Sequence, residues 1–446
     1  MTATTMTVEE FKVTELGPLP PEWEVVLLRD VVTFSRKPRN LDVATYDQVP
    51  FVPMEYIPDD HVDINCYEMK KPVEIGTGTF FYKGDLLVAK ITPSFENGKQ
   101  CIANDLPCDF GYATTEVWPL HKTDRVDLLY LFYYLRRKEI RTDVAGKMEG
   151  STGRQRVPRR VLETLPIPLP PLSEQKRIAY FLSTVQTATE KTEAVIRTTR
   201  ELKKSLMKHL FTYGPVSIDE AENVPLKETE IGMVPEEWEE KRLLDLAKKE
   251  SDIVGGPFGS NLKVSDYTES GVPIIRLQNI KRNRFVKKDI KFVSKEKAEE
   301  LEYHSFRAGD IVLAKLGDPI GKTCTVPDDL IEGIVVADVV RIRTDPELTS
   351  KDYIVYALNA DFTTEQFRRL KTGTTRPRVN VSDVRYVKLP LPPITDQRRI
   401  ASILSEVDRK IEVEEDREKA LEALSKTLLS NLMTGKIRVN SLEVPV

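Results

Sequence analysis

Residues 166–180 read PIPLPPLSEQKRIAY, and residues 388–402 read KLPLPPITDQRRIAS. Each copy runs on for about forty residues without proline or interior glycine, ending at Gly214 or Gly435. Prolines followed by so long an uninterrupted stretch predict a long helix, once after each half of the chain. Pro170-Pro171 and Pro392-Pro393 favour extended backbone, Ser173 and Thr395 are expected N-caps, and Glu174 and Asp396 suit the positive end of the helix dipole. Steps of four and three from the first isoleucine pick out Ile178, Leu182, Val185, Thr189, Thr192, Ile196, Thr199, Lys203, Leu206 and Leu210. The same steps in the second copy pick out Ile400, Leu404, Val407, Ile411, Glu414, Glu418, Leu421, Ser425, Leu428 and Leu432. Alternating four/three spacing is a coiled-coil seam. Both seams are apolar at the ends and polar in the middle, which suits a homodimeric zipper poorly, so the simplest partner for each helix is the other one. The expected interface is Ile178, Leu182, Val185, Ile196, Leu206 and Leu210 against Ile400, Leu404, Val407, Ile411, Leu421, Leu428 and Leu432. Two amphipathic helices in separate cores are the plainer alternative, but forty residues span about 60 Å, far beyond the usual globular helix.

The rest of the chain is duplicated too. ELGPLPPEW at 15–23 answers EIGMVPEEW at 230–238, and FYKGDLLVAKI at 81–91 answers FRAGDIVLAKL at 306–316. NGKQC at 97–101 faces IGKTC at 320–324, and STGRQRV at 151–157 faces GTTRPRV at 373–379. The Gly-Asp pairs predict a turn feeding an apolar strand, and helices are expected near 124–141 and 349–370. The expected fold class is α+β (mixed α/β), a tandem duplication of one domain plus helix. The boundaries read 1–14 as a loose N-terminal arm, 15–165 as the first domain, 166–214 as the first helical segment, 215–229 as a linker, 230–387 as the second domain and 388–440 as the second helical segment.

Composition is that of an ordinary soluble protein, with 446 residues, 40% hydrophobic and 30% charged. The longest apolar run, LLYLFYYL at 128–135, is too short for a bilayer. The start of the chain lacks signal-peptide character. Four cysteines without a CxxC pair and four scattered histidines argue against zinc or a disulfide framework and fit a reducing, cytoplasmic setting. Net charge is −4, but locally uneven. Residues 219–240 are strongly acidic, whereas 276–291 carry Arg276, Lys281, Arg282, Arg284, Lys287, Lys288 and Lys291 against Asp289 alone.

GDPIGKT at 317–323 resembles a phosphate loop but has three residues between its glycines where four are required, and the β-branched residues after it predict a strand. No nucleophile constellation, metal motif or cofactor loop is present, so the chain is expected to be non-catalytic, with no cofactor and no metal of its own. What remains suits DNA. One candidate set is Ser151, Thr152, Arg154, Gln155, Arg156, Arg159 and Arg160, answered by Thr374, Thr375, Arg376, Arg378 and Asn380. Arginine can fork onto guanine, amides onto adenine, and hydroxyls onto phosphate. A solvated turn before a helix is the plain reading. The second set is Arg276, Gln278, Asn279, Lys281, Arg282, Asn283 and Arg284, otherwise an exposed charged hairpin. GGPFGSNLK at 255–263 has glycines that admit a phosphate to the backbone, or is a plain turn. Lys90, Thr92, Ser94, Asn97, Lys99, Lys315 and Lys322 form a weaker set. The acidic run Glu412, Glu414, Glu415, Asp416, Glu418 reads as a solvated face.

On PLPPLSEQKRIA and PLPPITDQRRIA, GPFGSNL, the paired P-x-x-W starts and the closing LMTGKIRV at 432–439, nearly the whole chain resembles the specificity (S) subunits of type I restriction–modification enzymes. The resemblance implies two target recognition domains separated by two long helices that pack antiparallel as an intramolecular coiled coil. It implies that each domain reads half of a bipartite asymmetric target in double-stranded DNA, with the helices setting the gap. It also implies two methylase (M) subunits, which use S-adenosylmethionine to methylate adenine N6, and restriction (R) subunits, which use ATP and Mg. Two departures stand out: the first copy closes with LFTYGPVSI at 210–218, and RKPRNLD at 36–42 stands where the second half has GPFGSNLK. The alternatives are a specificity subunit of a related, type IIB-like system, and a protein-binding coiled-coil adaptor.

Overall fold

The computed structural model describes residues 4–5, 11–373 and 377–439. The chain divides into two compact units, one made of Met1–Glu193 with Glu415–Val446 and the other of Ala194–Glu414. Each unit thus owns one domain, the start of one long helix and the end of the other.

In the first unit one sheet runs in the order Gln100–Ile102, Leu86–Ala89, Val117–Lys122, Val32–Phe34, all antiparallel. A second runs Glu68–Lys70, Val49–Val52, Phe110–Ala113, Thr79–Tyr82, with a parallel pair at its centre (Phe51 opposite Tyr112). The second unit repeats this plan. Thr323–Thr325, Ile311–Ala314, Val339–Ile342 and Ile253–Gly255 form the first sheet. Lys291–Val293, Val272–Ile275, Glu332–Val335 and Ser305–Arg307 form the second, again with one parallel pair (Ile274 opposite Ile334). Tyr267–Thr268 adds an edge strand there. The expected Gly-Asp turns are present: Gly84 and Gly309 have φ of 86° and 82°, where glycine is favoured. Asp85 accepts the Tyr82 N–H at 2.8 Å and Asp310 that of Arg307 at 2.8 Å. The strands after them, Leu86–Ala89 and Ile311–Ala314, are buried at every residue, as central strands covered on both faces must be.

Each expected domain helix is in fact two, Leu128–Arg136 with Lys138–Ala145, and Lys351–Asn359 with Asp361–Leu370. The breaks fall at Arg137 and Ala360, both in extended conformation and neither a breaker by type. In the second pair the carbonyls near the break are claimed by side chains. Asn359 Nδ2 donates to the Val355 oxygen at 2.9 Å and Thr363 Oγ1 to that of Ala357 at 2.7 Å.

The long helices are Leu172–Tyr213 and Ile394–Met433. Each begins one residue before its expected cap, so Ser173 and Thr395 lie inside the first turn. The glutamine of each SEQ/TDQ motif ties that turn down. Gln175 accepts the Asp127 N–H at 2.8 Å and donates to the carbonyls of Arg125 (3.0 Å) and Pro170 (2.8 Å). Gln397 accepts the Ser350 N–H at 2.8 Å and donates to those of Leu348 (3.1 Å) and Pro392 (2.9 Å). Tyr130 and Tyr353 add equivalent 2.8 Å bonds to the carbonyls of Pro168 and Pro390.

Every seam position on both helices is buried or half-buried. Within the first unit, Ile178 and Leu182 share a core cluster with Leu428 and Leu432. Within the second, Leu206 and Leu210 share one with Ile400 and Leu404, and Lys203 pairs with Asp408. Numbers rise on one helix as they fall on the other, so the pair is antiparallel.

Each P-x-x-W tryptophan receives the end of a long helix. Trp238 packs in the cluster of Leu210 and Phe211, beside Gly214, and Trp23 packs in that of Leu432 and Met433, beside Gly435. The Trp23 contact is also polar. Arg438 forks onto Glu174 (2.7 and 3.0 Å), Trp23 Nε1 donates to the same carboxylate at 3.1 Å, and Glu22 meets Arg438 at 3.2 Å. Glu174 is 1% exposed. Residues 12–14, expected as part of a loose arm, pair as a strand with Gly17–Leu19, and Leu226–Thr229 pairs likewise with Gly232–Pro235 in the expected linker.

Candidate nucleic-acid interface

Both domains build the same constellation from three distant segments. The strand after the Gly-Asp turn ends in Lys90 or Lys315. The lysine N–H bonds the carbonyl of Glu116 (2.9 Å) or Asp338 (3.0 Å) on the neighbouring strand. The basic hairpin folds back beside it. Arg156 bridges Ile91 and Arg378 bridges Leu316, while Val157 and Val379 donate to the lysine carbonyls at 2.8 and 3.0 Å. Lysine, acid and arginine therefore recur at matching places in both units.

Their chemistry differs. In the first unit Arg156 grips Glu116 through two bonds of 2.8 and 2.7 Å, which lowers the Glu116 carboxyl below its usual range. The Lys90 ammonium lies 4.1 Å over the Trp118 ring, and desolvation lowers its pKa. In the second unit the place of Trp118 is taken by Val340, and the aromatic comes from the loop instead. The Lys315 ammonium is 5.0 Å from the Phe258 ring. Lys315 is 6% exposed, and burial pushes its pKa down against the opposing pull of the Asp338 carboxylate; its ammonium makes no hydrogen bond among the described residues. Arg378 is exposed near it.

The first expected set lies on this hairpin. Ser151, Thr152 and Arg154 are exposed at its tip and Gln155 is half-buried, its carbonyl accepting the Thr92 N–H at 3.0 Å. Arg159 pairs with Glu163 at 2.7 Å and covers Phe34, and Arg160 pairs with Glu149. In the second unit Thr374, Thr375 and Arg376 lie outside the described residues. Asn380 is exposed.

The second set forms a hairpin, Ile280–Lys281 against Arg284–Phe285, with Arg282 and Asn283 at the turn. Asn283 takes a φ of 57°, which asparagine tolerates better than most residues. Arg276 bonds Asp289 at 2.8 Å, Gln278 bonds it at 3.1 Å and Lys291 at 3.0 Å, and the three together hold the Asp289 carboxyl far below its usual range. Arg282 reaches Thr364 at 3.1 Å, and Arg284 lies 3.8 Å from Glu412. Lys281 is exposed, and Lys322 turns back to the Asp318 carbonyl at 3.3 Å. Asn279 is a correction. It is wholly buried, accepting the Arg276 N–H at 3.0 Å and donating to the carbonyls of Val286 (2.9 Å) and Lys288 (3.1 Å). Its amide holds the loop together and offers nothing to a base. The exposed pairs, by contrast, are weakly held against water and salt.

The sequence reading notes RKPRNLD as a departure but does not count Arg36, Lys37 and Arg39 among the candidate DNA contacts. They follow the edge strand Val32–Phe34, are all exposed, and have no side-chain partner among the described residues. The string RKPR is itself the signal, hidden because no equivalent string exists in the second half. Among the described residues no group of His, Cys, Asp and Glu could hold a metal ion, and no helix is long and apolar enough to cross a membrane.

Comparison with known proteins gives a consistent picture. The family model "Type I restriction modification DNA specificity domain" matches twice, over residues 20–198 and 235–423. The chain is 28% identical over 441 residues to the type I restriction enzyme MjaVIII specificity subunit of Methanocaldococcus jannaschii, covering 97% of both. It is 32% identical over 195 residues to the EcoAI specificity subunit of Escherichia coli, which is 43% of this chain and 33% of that one. Among solved structures, the type I restriction–modification S subunit of M. genitalium superposes with a TM-score of 0.57 at 15% identity, covering 97% of this chain and 99% of that one, a likeness of fold. With two recognition domains of one topology and two packed long helices, the chain belongs to the type I restriction modification DNA specificity family, as a specificity (S) subunit.

Proposed function

We propose that this chain is the non-catalytic address of a type I restriction–modification complex. Each domain reads one half of a bipartite, asymmetric DNA target, and the helix pair sets the unread gap between the halves. The chemistry resides in partners: two methylase subunits carrying S-adenosylmethionine, and restriction subunits using ATP and Mg. The observation that carries this reading is the recurrence of one constellation in both domains with different side chains around it. Two heads of one topology but different loop chemistry suit two different half-sites. Ser151, Thr152 and Arg154 at the hairpin tip of one domain, and Arg378 with Asn380 on the matching segment of the other, are the proposed readers, supported by Gln155, Lys281, Arg282 and Lys322.

The test is long-read methylation mapping in cells expressing the chain with its neighbouring methylase gene. A bipartite adenine-methylated motif that disappears when either gene is removed is the expected result. A stable complex of chain and methylase that leaves no motif would refute the reading in favour of a protein-binding adaptor.

A further inference from the structure

The loop after the edge strand of the first sheet occupies the same topological place in both domains. It follows Val32–Phe34 in one, with Arg36, Lys37 and Arg39, and Ile253–Gly255 in the other, with Phe258. In the first domain it carries three cations, exposed and unpartnered among the described residues, before Asp42 caps the next turn. In the second it is uncharged from Gly255 to Leu262, and its outstanding feature is an aromatic ring 67% exposed. The base of that loop is firmly seated. A Cβ on Gly256 would fall 2.2 Å from the Val336 backbone, and one on Gly255 would fall 2.7 Å from Val381. Phe258 is thus presented from a fixed footing. The buried ammonium of Lys315 lies 5.0 Å from its ring, with the Asp338 carboxylate and the exposed Arg378 near that lysine.

We infer, on the reading proposed above, that these matching loops touch DNA by different chemistry. Arg36, Lys37 and Arg39 neutralise phosphates beside the first half-site, whereas Phe258 makes an apolar contact with the bases of the second, flanked by Lys315. An exposed ring with a cation at its base suits a DNA groove, where a thymine methyl offers an apolar contact beside the phosphates. It suits an apolar protein groove poorly, because the exposed Arg378 nearby would then lose its water without gaining an anion.

The two modes separate by salt. Neutralising a phosphate contributes about 0.9 to the slope of log K against log salt, so replacing all three basic residues should flatten the slope by about 2.7. Losing one contact with a base edge weakens binding about tenfold and leaves the slope alone. The experiment measures binding of the assembled methylase complex to its mapped target from low to high salt. It compares wild type, the triple variant Arg36→Ala/Lys37→Ala/Arg39→Ala, and Phe258→Ala. The expected result is a flatter slope with an unchanged motif for the triple variant, and an unchanged slope with weaker binding for Phe258→Ala. Phe258→Leu should recover part of that loss. A triple variant with the wild-type slope would overturn the inference. So would Phe258→Ala with wild-type affinity, or one whose defect is a failure to assemble with the methylase, which would make Phe258 a protein contact. Wild-type complex that methylates no bipartite site would instead strike down the parent reading.

Discussion

Replacing Arg438 by alanine tests how the end of the chain is fastened. Glu174 is 1% exposed and its carboxylate has three donors on two side chains, two from Arg438 and one from Trp23. The variant leaves a buried charge with the Trp23 indole as its remaining bond in this set. One-sided loss of a buried ion pair costs about 3–5 kcal/mol. Glu22 is well exposed and its share is small. Taking about 3 kcal/mol, opening of the first unit becomes roughly a hundredfold more frequent. Native-state hydrogen exchange, read by mass spectrometry on peptides covering 12–27 and 172–182, measures that directly, and peptides from the Ala194–Glu414 unit serve as the internal control. A double-mutant cycle with Arg438→Met and Glu174→Gln isolates the pair, since a neutral pair of similar size leaves no stranded charge. The double variant should lose far less than the sum of the singles. Unchanged protection in Arg438→Ala, or additive losses in the cycle, would show that the contact is incidental.

The ruler has its own test. One heptad inserted at matched positions in both helices adds about 10 Å, or about three base pairs of unread gap, with both half-sites kept; an altered half-site with an unaltered gap on methylation mapping contradicts it. Gly435→Ala places a Cβ 2.3 Å from Pro20 at a φ of 67°. It should cost at least 1–2 kcal/mol in urea unfolding, roughly the left-handed penalty alone, and a wild-type midpoint would refute the packing. Burial pushes the Cys101 and Cys324 thiols up to about 12. At pH 8 a disulfide reagent should therefore modify exposed Cys66 quickly and leave those two intact until denaturant is added, as peptide mapping would show. The Asp289 carboxyl is lowered, so its hold on Arg276, Gln278 and Lys291 is fully present above the ordinary carboxylate pKa and is lost as pH falls through the lowered one. Amide signals of the 276–291 loop should be undisturbed at pH 4 and shift only well below it; loosening already at pH 5 counts against this.

The seam of the long helices was legible because a four/three spacing survives even where Thr192 or Glu414 replaces an apolar residue. The duplication was legible through its turns and prolines, yet it begins a strand earlier than the tryptophan motif suggests. KVTELG at 12–17 and KETEIG at 227–232 hold the same hairpin, in which Thr14 and Thr229 bond Gly17 and Gly232 at 2.7 Å. Strand order was not legible, because strands of three or four residues buried on both faces, such as Leu86–Ala89, carry no alternation. The burial of Asn279 was hidden by its basic neighbours, since a capping amide and a base-reading amide look alike in a sequence. Glu174 and Arg438 stand 264 positions apart with no local sign of each other. The lysine and arginine of each domain appeared in the sequence reading only in separate sets, and Glu116 and Asp338 in none, because a parent strand, its neighbour and a later hairpin must fold before they meet.

The proline–glutamine joint has an evolutionary consequence. Gln175 and Gln397 make matching bonds at the two places where a head hands over to its helix, and the strings that encode them, PLPPLSEQ and PLPPITDQ, are nearly interchangeable. A genetic crossover within either string would graft a foreign head onto a resident helix without disturbing the junction. On the proposed function, such a chain would acquire a new half-address in a single recombination event, with its long helices inherited unchanged.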